Sequence, residues 1–358
     1  PFGIDLLNMR FPIALSDLSG RRPYELSNYQ GMAFTKYGPI SRNSIEFKSM
    51  WDGVLAYPDY RGIMIGMGDG HEMAVGGTAF ELAYFAFRDP RYASVLKRNK
   101  TRDLVYAVAE LPEETPVLHR ASAHSDNAGI ALLRSQGGSD REQIQLGFKY
   151  GTHGGYHGHF DRLSLLSLMR YGRGFWNPES VWYGYPSYMY KFWVQPSLSH
   201  NMVVVDGKMQ APADCRPLLF HSGRHLQAVA ADGAARWSNP PYLGGYDKVE
   251  AVKKGEERWL PIPENRPAIA EVTDYTEPVY ARRLQLVTDD YVVVADFLKS
   301  EKEHVFDNLL HLRGVKTLEG LEKTGHRDQF DSSPLSSGQF VVNVDEYALT
   351  APAKLTSL

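Results

Sequence analysis

Two histidines separated by one glycine are the residues best suited to do chemistry in this chain. They lie in residues 152–161, which read THGGYHGHFD. If residues 156–161 form an extended strand, His157 and His159 project from one face and Gly158 leaves room between them. Two imidazoles on one face can supply a metal ligand and a neighbouring acid or base. A histidine pair that is only hydrogen-bonded on a sheet face is the structural alternative.

A third histidine, His200, precedes a valine-rich segment in residues 197–207, SLSHNMVVVDG. A His–Asn pair at the start of such a strand indicates that the pair faces a site. With His159 and one oxygen ligand, His200 would complete three protein ligands of a zinc ion and leave a fourth position for water. A zinc hydrolase that activates this water is therefore one hypothesis.

The overall composition limits the classes of function. Hydrophobic residues make up 43% of the 358 residues and charged residues 23%, which is typical of a globular protein with a large core. The formal net charge of -3 gives no positive field for nucleic acid, so an anionic polymer must be bound by local basic residues. Cys215 is the only cysteine and forms no intramolecular disulfide. No apolar run of about 18 residues predicts a membrane span.

The order of predicted elements is helices first and sheets afterwards. Residues 72–111 have helical periodicity, interrupted by a turn at residues 88–90, with a second helical pattern from Leu104 to Leu111. The proline-containing segment 111–116 is the predicted linker, so we expect domains at residues 1–113 and 114–358. Short β-branched or aromatic runs then predict an antiparallel sheet region, at residues 128–134, 143–150, 201–205, 283–287 and 291–295.

These motifs resemble the heparinase II/III-like superfamily of polysaccharide lyases, and within it the oligoalginate lyases. The carrying residues are 149–164, KYGTHGGYHGHFDRLS, and 198–207, LSHNMVVVDG, with weaker similarity at 50–59, 65–69, 283–287 and 304–312. The resemblance implies an α+β multidomain fold, in which a partial (α/α) toroid precedes an antiparallel β-sandwich domain and the cleft lies between them. The chain starts at Pro1, so we expect a fragment or a processed form whose toroid is truncated.

The resemblance also implies roles for the histidines. His157 corresponds to a catalytic residue in the cleft. His159, Asn177 and His200 correspond to the ligands of a structural metal ion, usually zinc. The family pattern has Asp-Pro-Gly where this chain has NPE at residues 177–179. Asn177 brings an oxygen but no charge, so a lower affinity for a divalent ion is expected.

The catalytic tyrosine of the family lies four residues after a glutamate. Residues 24–30, YELSNYQ, place Glu25 and Tyr29 at that spacing, so Tyr29 is the expected catalytic tyrosine, with Tyr37 in reserve. A cleft tyrosine of the family corresponds to Tyr188, with Tyr190 as the neighbouring alternative. Aromatic residues between the two histidine segments are candidates for a sugar platform: Trp182, Tyr183, Tyr185, Tyr188, Tyr190 and Trp193. Glu25, His153, Tyr188 and Tyr190 are the residues expected to bind substrate.

The function implied by the resemblance is β-elimination in a polymer or oligomer that contains uronic acid. An alginate-type substrate is favoured, and a glycosaminoglycan or ulvan lyase is the first alternative. A non-catalytic carbohydrate-binding relative and a metal-dependent hydrolase are the others. The expected partner is an anionic polysaccharide, without nucleic acid and with a homodimer left open, and the expected location is the periplasm or the exterior.

Overall fold

The structure is a computed structural model that describes residues 44–358, except 71, 77, 104–106, 127, 152–156, 175–187, 242–273, 313 and 358. Its three α-helices are α1 (Ser44–Leu55), α2 (Thr78–Phe87) and α3 (Pro90–Leu96). These helices do not close a toroid, and residues 1–43 of the predicted toroid lie outside the described residues. None of the described helices is long and apolar enough to cross a membrane.

Aromatic side chains hold the three helices together. The ring of Phe80 in α2 meets the ring of Trp51 in α1 edge to face, with centroids 5.5 Å apart. The same ring meets Tyr92 of α3 at 5.9 Å. All three rings are buried in one apolar cluster. This edge-to-face packing fixes the helices against each other in the part of the chain that precedes the sheets.

The second predicted helix is wrong in its position. Residues 88 and 89 separate α2 from α3, and α3 begins at Pro90, because Asp89 caps the helix and Pro90 occupies its first turn. Residues 107–111 are not helical. Val108 and Leu111 instead pack against the helical core from an irregular segment. Arg102 holds this segment, since it pairs with Glu81 of α2 and donates to the Val108 carbonyl at 3.0 Å.

The largest sheet has five antiparallel strands in the order β3-β4-β5-β6-β7. Its strands are β3 (Ala123–Ser125), β4 (Ile130–Arg134), β5 (Gln145–Lys149), β6 (Ser164–Arg170) and β7 (Arg173–Gly174). β4 and β5 are buried throughout, as expected for central strands of a covered sheet. The segment between β5 and β6 contains the histidine motif, so this sheet anchors both of its ends.

A four-stranded antiparallel sheet in the order β10-β11-β13-β14 faces the first sheet. Its strands are β10 (Cys215–Ser222), β11 (Gln227–Ala235), β13 (Val279–Val287) and β14 (Val292–Lys299). Val229 of β11 and Val287 of β13 belong to the same buried cluster as Leu146 and Phe148 of β5. The two sheets therefore share an apolar core, which agrees with the expected antiparallel sheet region.

The remaining strands form four antiparallel pairs. They are β1 (Ile63–Met64) with β2 (Met73–Ala74), β8 (Val203–Val205) with β15 (Phe306–Asn308), β9 (Met209–Gln210) with β12 (Trp237–Ser238), and β16 (Val315–Gln329) with β17 (Val342–Ser357). The loop between β1 and β2 carries Asp69, and β8 follows His200 directly. These two pairs therefore bring two further segments to the histidine motif.

One buried arginine joins the helical segment to the sheet. The guanidinium of Arg134, at the end of β4, donates to the carbonyls of Ala56 and Ala121 at 2.7 Å and of Pro58 at 3.0 Å. Its Nε donates to the Gln145 side chain at 2.9 Å. Arg134 therefore has a structural role at the junction between the helical segment and the sheet. Arg162 is buried as well and donates to the Ala211 carbonyl.

Candidate functional site

The histidine motif is an irregular connection, and the expectation of a strand is wrong for its described part. His157 lies in a turn, and residues 158–160 form no strand. Three contacts with the segment before His200 replace the sheet hydrogen bonds. Phe160 N donates to the Gln195 carbonyl at 2.9 Å, the Gln195 side chain donates to the Gly158 carbonyl at 3.2 Å, and Ser197 Oγ donates to the Phe160 carbonyl. The histidines are thus positioned by a neighbouring segment.

The loop between β1 and β2 reaches the histidine motif from the helical side of the molecule. Asp69 N donates to the His157 carbonyl at 3.2 Å. Gly68 has φ +58°, and a Cβ atom there would lie 2.4 Å from the same carbonyl oxygen. Glycine is therefore required at position 68 both for its backbone conformation and for the close approach of His157.

Asp69 is the centre of the site, and it is the functional candidate that sequence reasoning missed. Its Oδ2 lies 2.9 Å from His157 Nδ1, and its Oδ1 lies 3.1 Å from His159 Nε2. Tyr190 OH donates to Oδ1 at 2.7 Å. Although burial raises the pKa of Asp69, the hydrogen bonds from His159, Tyr190 and His157 outweigh burial and lower this pKa below its ordinary value. Asp69 is therefore an ionised acceptor for all three groups.

His157 and His159 share this carboxylate but differ in exposure. The side chain of His157 is 44% exposed, whereas that of His159 is 1% exposed. A carboxylate only accepts hydrogen bonds, so the nitrogen of each ring that faces Asp69 carries a hydrogen atom. For His157 this is Nδ1, and chemistry on a substrate would use Nε2. His157 is thus the histidine of this pair that solvent can reach.

His159 and His200 form a buried pair of imidazole rings, with His159 Nδ1 facing His200 Nε2 at 3.1 Å. Asp69 holds the hydrogen of His159 on Nε2, so His159 Nδ1 presents a lone pair. His200 Nδ1 lies 2.9 Å from the Pro196 carbonyl and 3.0 Å from Ser199 Oγ. If Nδ1 accepts from Ser199, the hydrogen of His200 lies on Nε2 and donates to His159; if Nδ1 donates to Pro196, both facing nitrogens present lone pairs that suit a cation. Burial lowers the pKa of His200 to about 3, which opposes an extra proton.

A metal ion fits this pair, since two nitrogen ligands of one zinc ion lie roughly 3.3 Å apart in tetrahedral geometry. Asp161 adds negative charge nearby: it is fully buried, pairs with Lys149, and has Oδ2 3.8 Å from His200 Nε2. Within the described ranges no group of three His, Cys, Asp or Glu side chains is arranged to hold a metal ion. The third ligand expected from the sequence, Asn177, lies outside the described residues.

The two tyrosines expected to bind substrate have different surroundings. Tyr190 begins a short π-helix, Tyr190–Val194, and its ring lies edge to face with His159 at 6.4 Å. Its hydroxyl group supports Asp69, and the residue is only 1% exposed. It therefore supports the cluster and offers no open face for a sugar.

Tyr188 belongs to another cluster. Its hydroxyl group donates to the Pro334 carbonyl and accepts from Gln339 Nε2 at 2.8 Å, and its ring lies 4.6 Å from that of Phe192. This placement does not support the expected sugar contact at Tyr188. The other expected residues, Glu25, Tyr29, Tyr37, His153, Asn177, Trp182, Tyr183 and Tyr185, lie outside the described residues. Trp193 is partly buried against the cluster that contains Leu198 and Met202.

One sequence signal includes Asp69: residues 65–69 belong to the weaker part of the resemblance to the lyase superfamily. Gln195 and Ser197, which hold the histidine motif in place, had no signal beyond their proximity to His200 in the sequence. The contact between Asp69 and His157 joins residues 88 positions apart. The spacing of residues within one motif cannot predict a partner that is so distant in the sequence.

Comparison with known proteins gave structural similarities only. No protein-family model and no curated protein sequence matches this chain. It is similar to a solved structure of heparinase III, with a TM-score of 0.48, 14% identity, and coverage of 75% of this chain and 37% of that one. It is also similar to the heparan sulfate lyase HepC from Pedobacter heparinus, with a TM-score of 0.47, 16% identity, and coverage of 76% and 35%. The chain thus spans about a third of the length of these structures.

Proposed function

We propose that this chain is a polysaccharide lyase that cleaves a polymer containing uronic acid by β-elimination. The observation that supports this proposal is that His157 and His159 both contact Asp69, while His200 lies against His159. These histidines come from the two motifs that carry the resemblance to the heparinase II/III-like lyases. One of them is exposed and the other two are buried, as expected for one cleft residue and two ligands of a structural metal ion.

The chemistry requires removal of the C5 proton of a uronate and loss of the C4 glycosidic oxygen. The main obstacle is the negative charge that builds up on the carboxylate as C5 loses its proton. Hydrogen-bond donors placed at this carboxylate give the largest stabilisation in such reactions. The exposed ring of His157, held through Nδ1 by Asp69, can present Nε2 either as a donor to the carboxylate or as a base.

The proton acceptor depends on the stereochemistry of the substrate. Where the C5 proton and the leaving oxygen lie on the same face, Tyr29 would accept the proton and return it to the oxygen. Where they lie on opposite faces, His157 would be the base and Tyr29 the acid. A tyrosine with a pKa of about 10 needs neighbouring donors or cations to act as a base at neutral pH.

We also propose that a zinc ion is held by His159 and His200 together with a third ligand, for which Asn177 is the candidate. Zinc would bind the facing nitrogens of the two rings in the tautomer that places the hydrogen of His200 on Nδ1, and would join the histidine motif to the segment that precedes β8. Its role is structural in this proposal, because both rings are buried whereas His157 is exposed.

The uronate polymer is the finer part of the proposal. The KYGTHGGYHGH run favours an alginate-type substrate. The similar solved structures are named for heparin-type and heparan substrates, so glycosaminoglycans are the second candidate. Polymers of either kind occur outside the cell, which fits a periplasmic or secreted location.

The decisive experiment follows the ultraviolet absorbance of the unsaturated uronate product. The chain is incubated with alginate, heparin, heparan sulfate, hyaluronan and ulvan. Absorbance that rises with one polymer supports the lyase and names its substrate. Cleavage without such absorbance supports the metal-dependent hydrolase, and binding without cleavage supports the carbohydrate-binding relative. Chelation separates the first two further, because a hydrolase stops at once whereas a lyase with a structural zinc ion loses mainly thermal stability.

A further inference from the structure

Asp69 contacts both histidines of the motif with different oxygen atoms. Oδ2 faces His157 Nδ1 at 2.9 Å, and Oδ1 faces His159 Nε2 at 3.1 Å. The Asp69 side chain is 6% exposed, so water competes little for these contacts. Tyr190 OH and the Asp69 main-chain N–H, which donates to the His157 carbonyl, fix the carboxylate in this place.

The two contacts set the tautomers of the two rings. Hydrogen on Nδ1 of His157 assigns the substrate-facing chemistry to Nε2. Hydrogen on Nε2 of His159 directs the Nδ1 lone pair to His200 Nε2, 3.1 Å away. A carboxylate that orients a metal-binding histidine through its second nitrogen also raises the basicity of that ligand. One side chain thus acts on the exposed histidine and on the buried pair.

We propose that Asp69 is a positioning residue that sets the tautomers of His157 and His159 together and thereby couples the zinc site to the cleft. This inference rests on the proposed function for its effect on catalysis and on zinc, while its effect on the tautomers rests on the contacts of Asp69 alone. The influence of Asp69 passes through the two rings that it orients.

The test compares wild type with Asp69→Asn and Asp69→Ala. Asn keeps the shape of Asp but has only one acceptor oxygen, so at least one histidine loses its partner; Ala removes both acceptors. In protein labelled with ¹⁵N-histidine, we expect the NMR chemical shifts of the ring nitrogens of His157 and His159 to differ from those of a single tautomer. Zinc affinity should fall by about 10- to 100-fold. In the lyase assay, kcat should fall by at least about 100-fold while KM changes by less than about threefold.

Asp59→Asn is the matched control. Asp59 is also buried, but it accepts from Arg61 and from the Ile63 main-chain N–H and has no contact with the histidines. This variant should lower the melting temperature without changing histidine shifts, zinc affinity or kcat. Histidine shifts and zinc affinity that stay at wild-type values in both Asp69 variants would overturn the proposal. Changed shifts and zinc affinity in a chain whose wild type has no lyase activity would support Asp69 and reject the proposed function.

Discussion

At the scale of single residues, the exposure of the side chains separates the roles of His157 and His159, which are two positions apart. Both rings bind Asp69, but His157 is 44% exposed and His159 is 1% exposed. A residue that meets a polymer must be reachable, and a buried imidazole can serve only a buried partner. The spacing of the motif predicts that His157 and His159 act as a pair. A strand that places both rings on one face does not predict that one ring is exposed and the other is buried.

Gly68 allows a test of the close approach that forms the site. Gly68→Ala places a Cβ atom 2.4 Å from the His157 carbonyl oxygen in a backbone conformation with φ +58°. We expect a loss of about 1–2 kcal/mol in the free energy of unfolding, together with reduced activity because the His157 segment shifts. Urea denaturation and the lyase assay measure the two effects.

Gly53→Ala is the matched control for this glycine. Gly53 lies within α1, and a Cβ atom there would have no neighbour within 4 Å. Alanine should therefore stabilise the helix by about 0.5–1 kcal/mol and leave activity unchanged. Gly68→Ala behaving like Gly53→Ala would contradict the role of the loop between β1 and β2.

At the scale of elements, Asp89 connects two helices through its charge. It caps α3 by accepting from Arg91 N at 3.0 Å, and its carboxylate lies 2.7 Å from Lys48 Nζ of α1. Asp89→Ala should lower the free energy of unfolding by about 0.5–2 kcal/mol. Asp89→Asn retains a capping oxygen and should lose less. Equal losses in the two variants would mean that the cap contributes nothing.

The same residue gives a pH dependence with a defined sign. Hydrogen bonds from Arg91, the largest cause, and from Lys48 hold the pKa of Asp89 well below its usual range. The stability that comes from this charge is fully present above the unfolded-state pKa of about 3.9, and it is lost as the pH falls through the lower folded-state value. Melting temperatures of wild type and Asp89→Asn should therefore differ at pH 7 and converge in acid. A difference that grows in acid would contradict this account.

The elements themselves were partly predictable from the sequence. The runs at 128–134 and 283–287 correspond to β4 and β13, because β-branched and apolar residues bounded by Gly, Asp or Thr encode strands locally. The conformation of residues 157–160 was not predictable in this way. It depends on Gln195 and Ser197, whose bonds to this segment replace a sheet ladder. The helical periodicity predicted for 104–111 failed at the described residues 107–111 for a similar reason, since Arg102, paired with Glu81, donates to the Val108 carbonyl.

At the scale of the whole molecule, Arg134 fastens the helical segment to the five-stranded sheet. Arg134→Met would leave the carbonyls of Ala56, Pro58 and Ala121 without this donor in a buried place. We expect a loss of about 3–5 kcal/mol in the free energy of unfolding, measured by urea denaturation. The control is Arg216→Met, whose side chain is 76% exposed and which should change stability by less than about 1 kcal/mol. Similar effects of the two variants would refute the fastening role.

The hydrogen bonds of Arg134 also matter for the candidate site, because they join the segment that leads to Asp69 to the sheet that leads to His157 and His159. Asp69 belongs to the loop that follows Ala56 and Pro58, whereas His157 and His159 follow β5, the neighbour of β4. The site is therefore built from two parts of the molecule, and neither part holds it alone. Contacts between segments that are this distant in the sequence cannot be predicted from one motif.

The most direct measurement is the rate at which wild type and His157→Ala form unsaturated uronate from the best polymer substrate. The His157 side chain is 44% exposed, so the variant should fold and lose only the stability that comes from its hydrogen bond to Asp69. Loss of a positioned acid, base or donor should slow product formation by at least about 100-fold. An active wild type and a folded, nearly inactive variant are the results we expect. Equal rates, or no unsaturated product from wild type with any uronate polymer, would contradict the central claim.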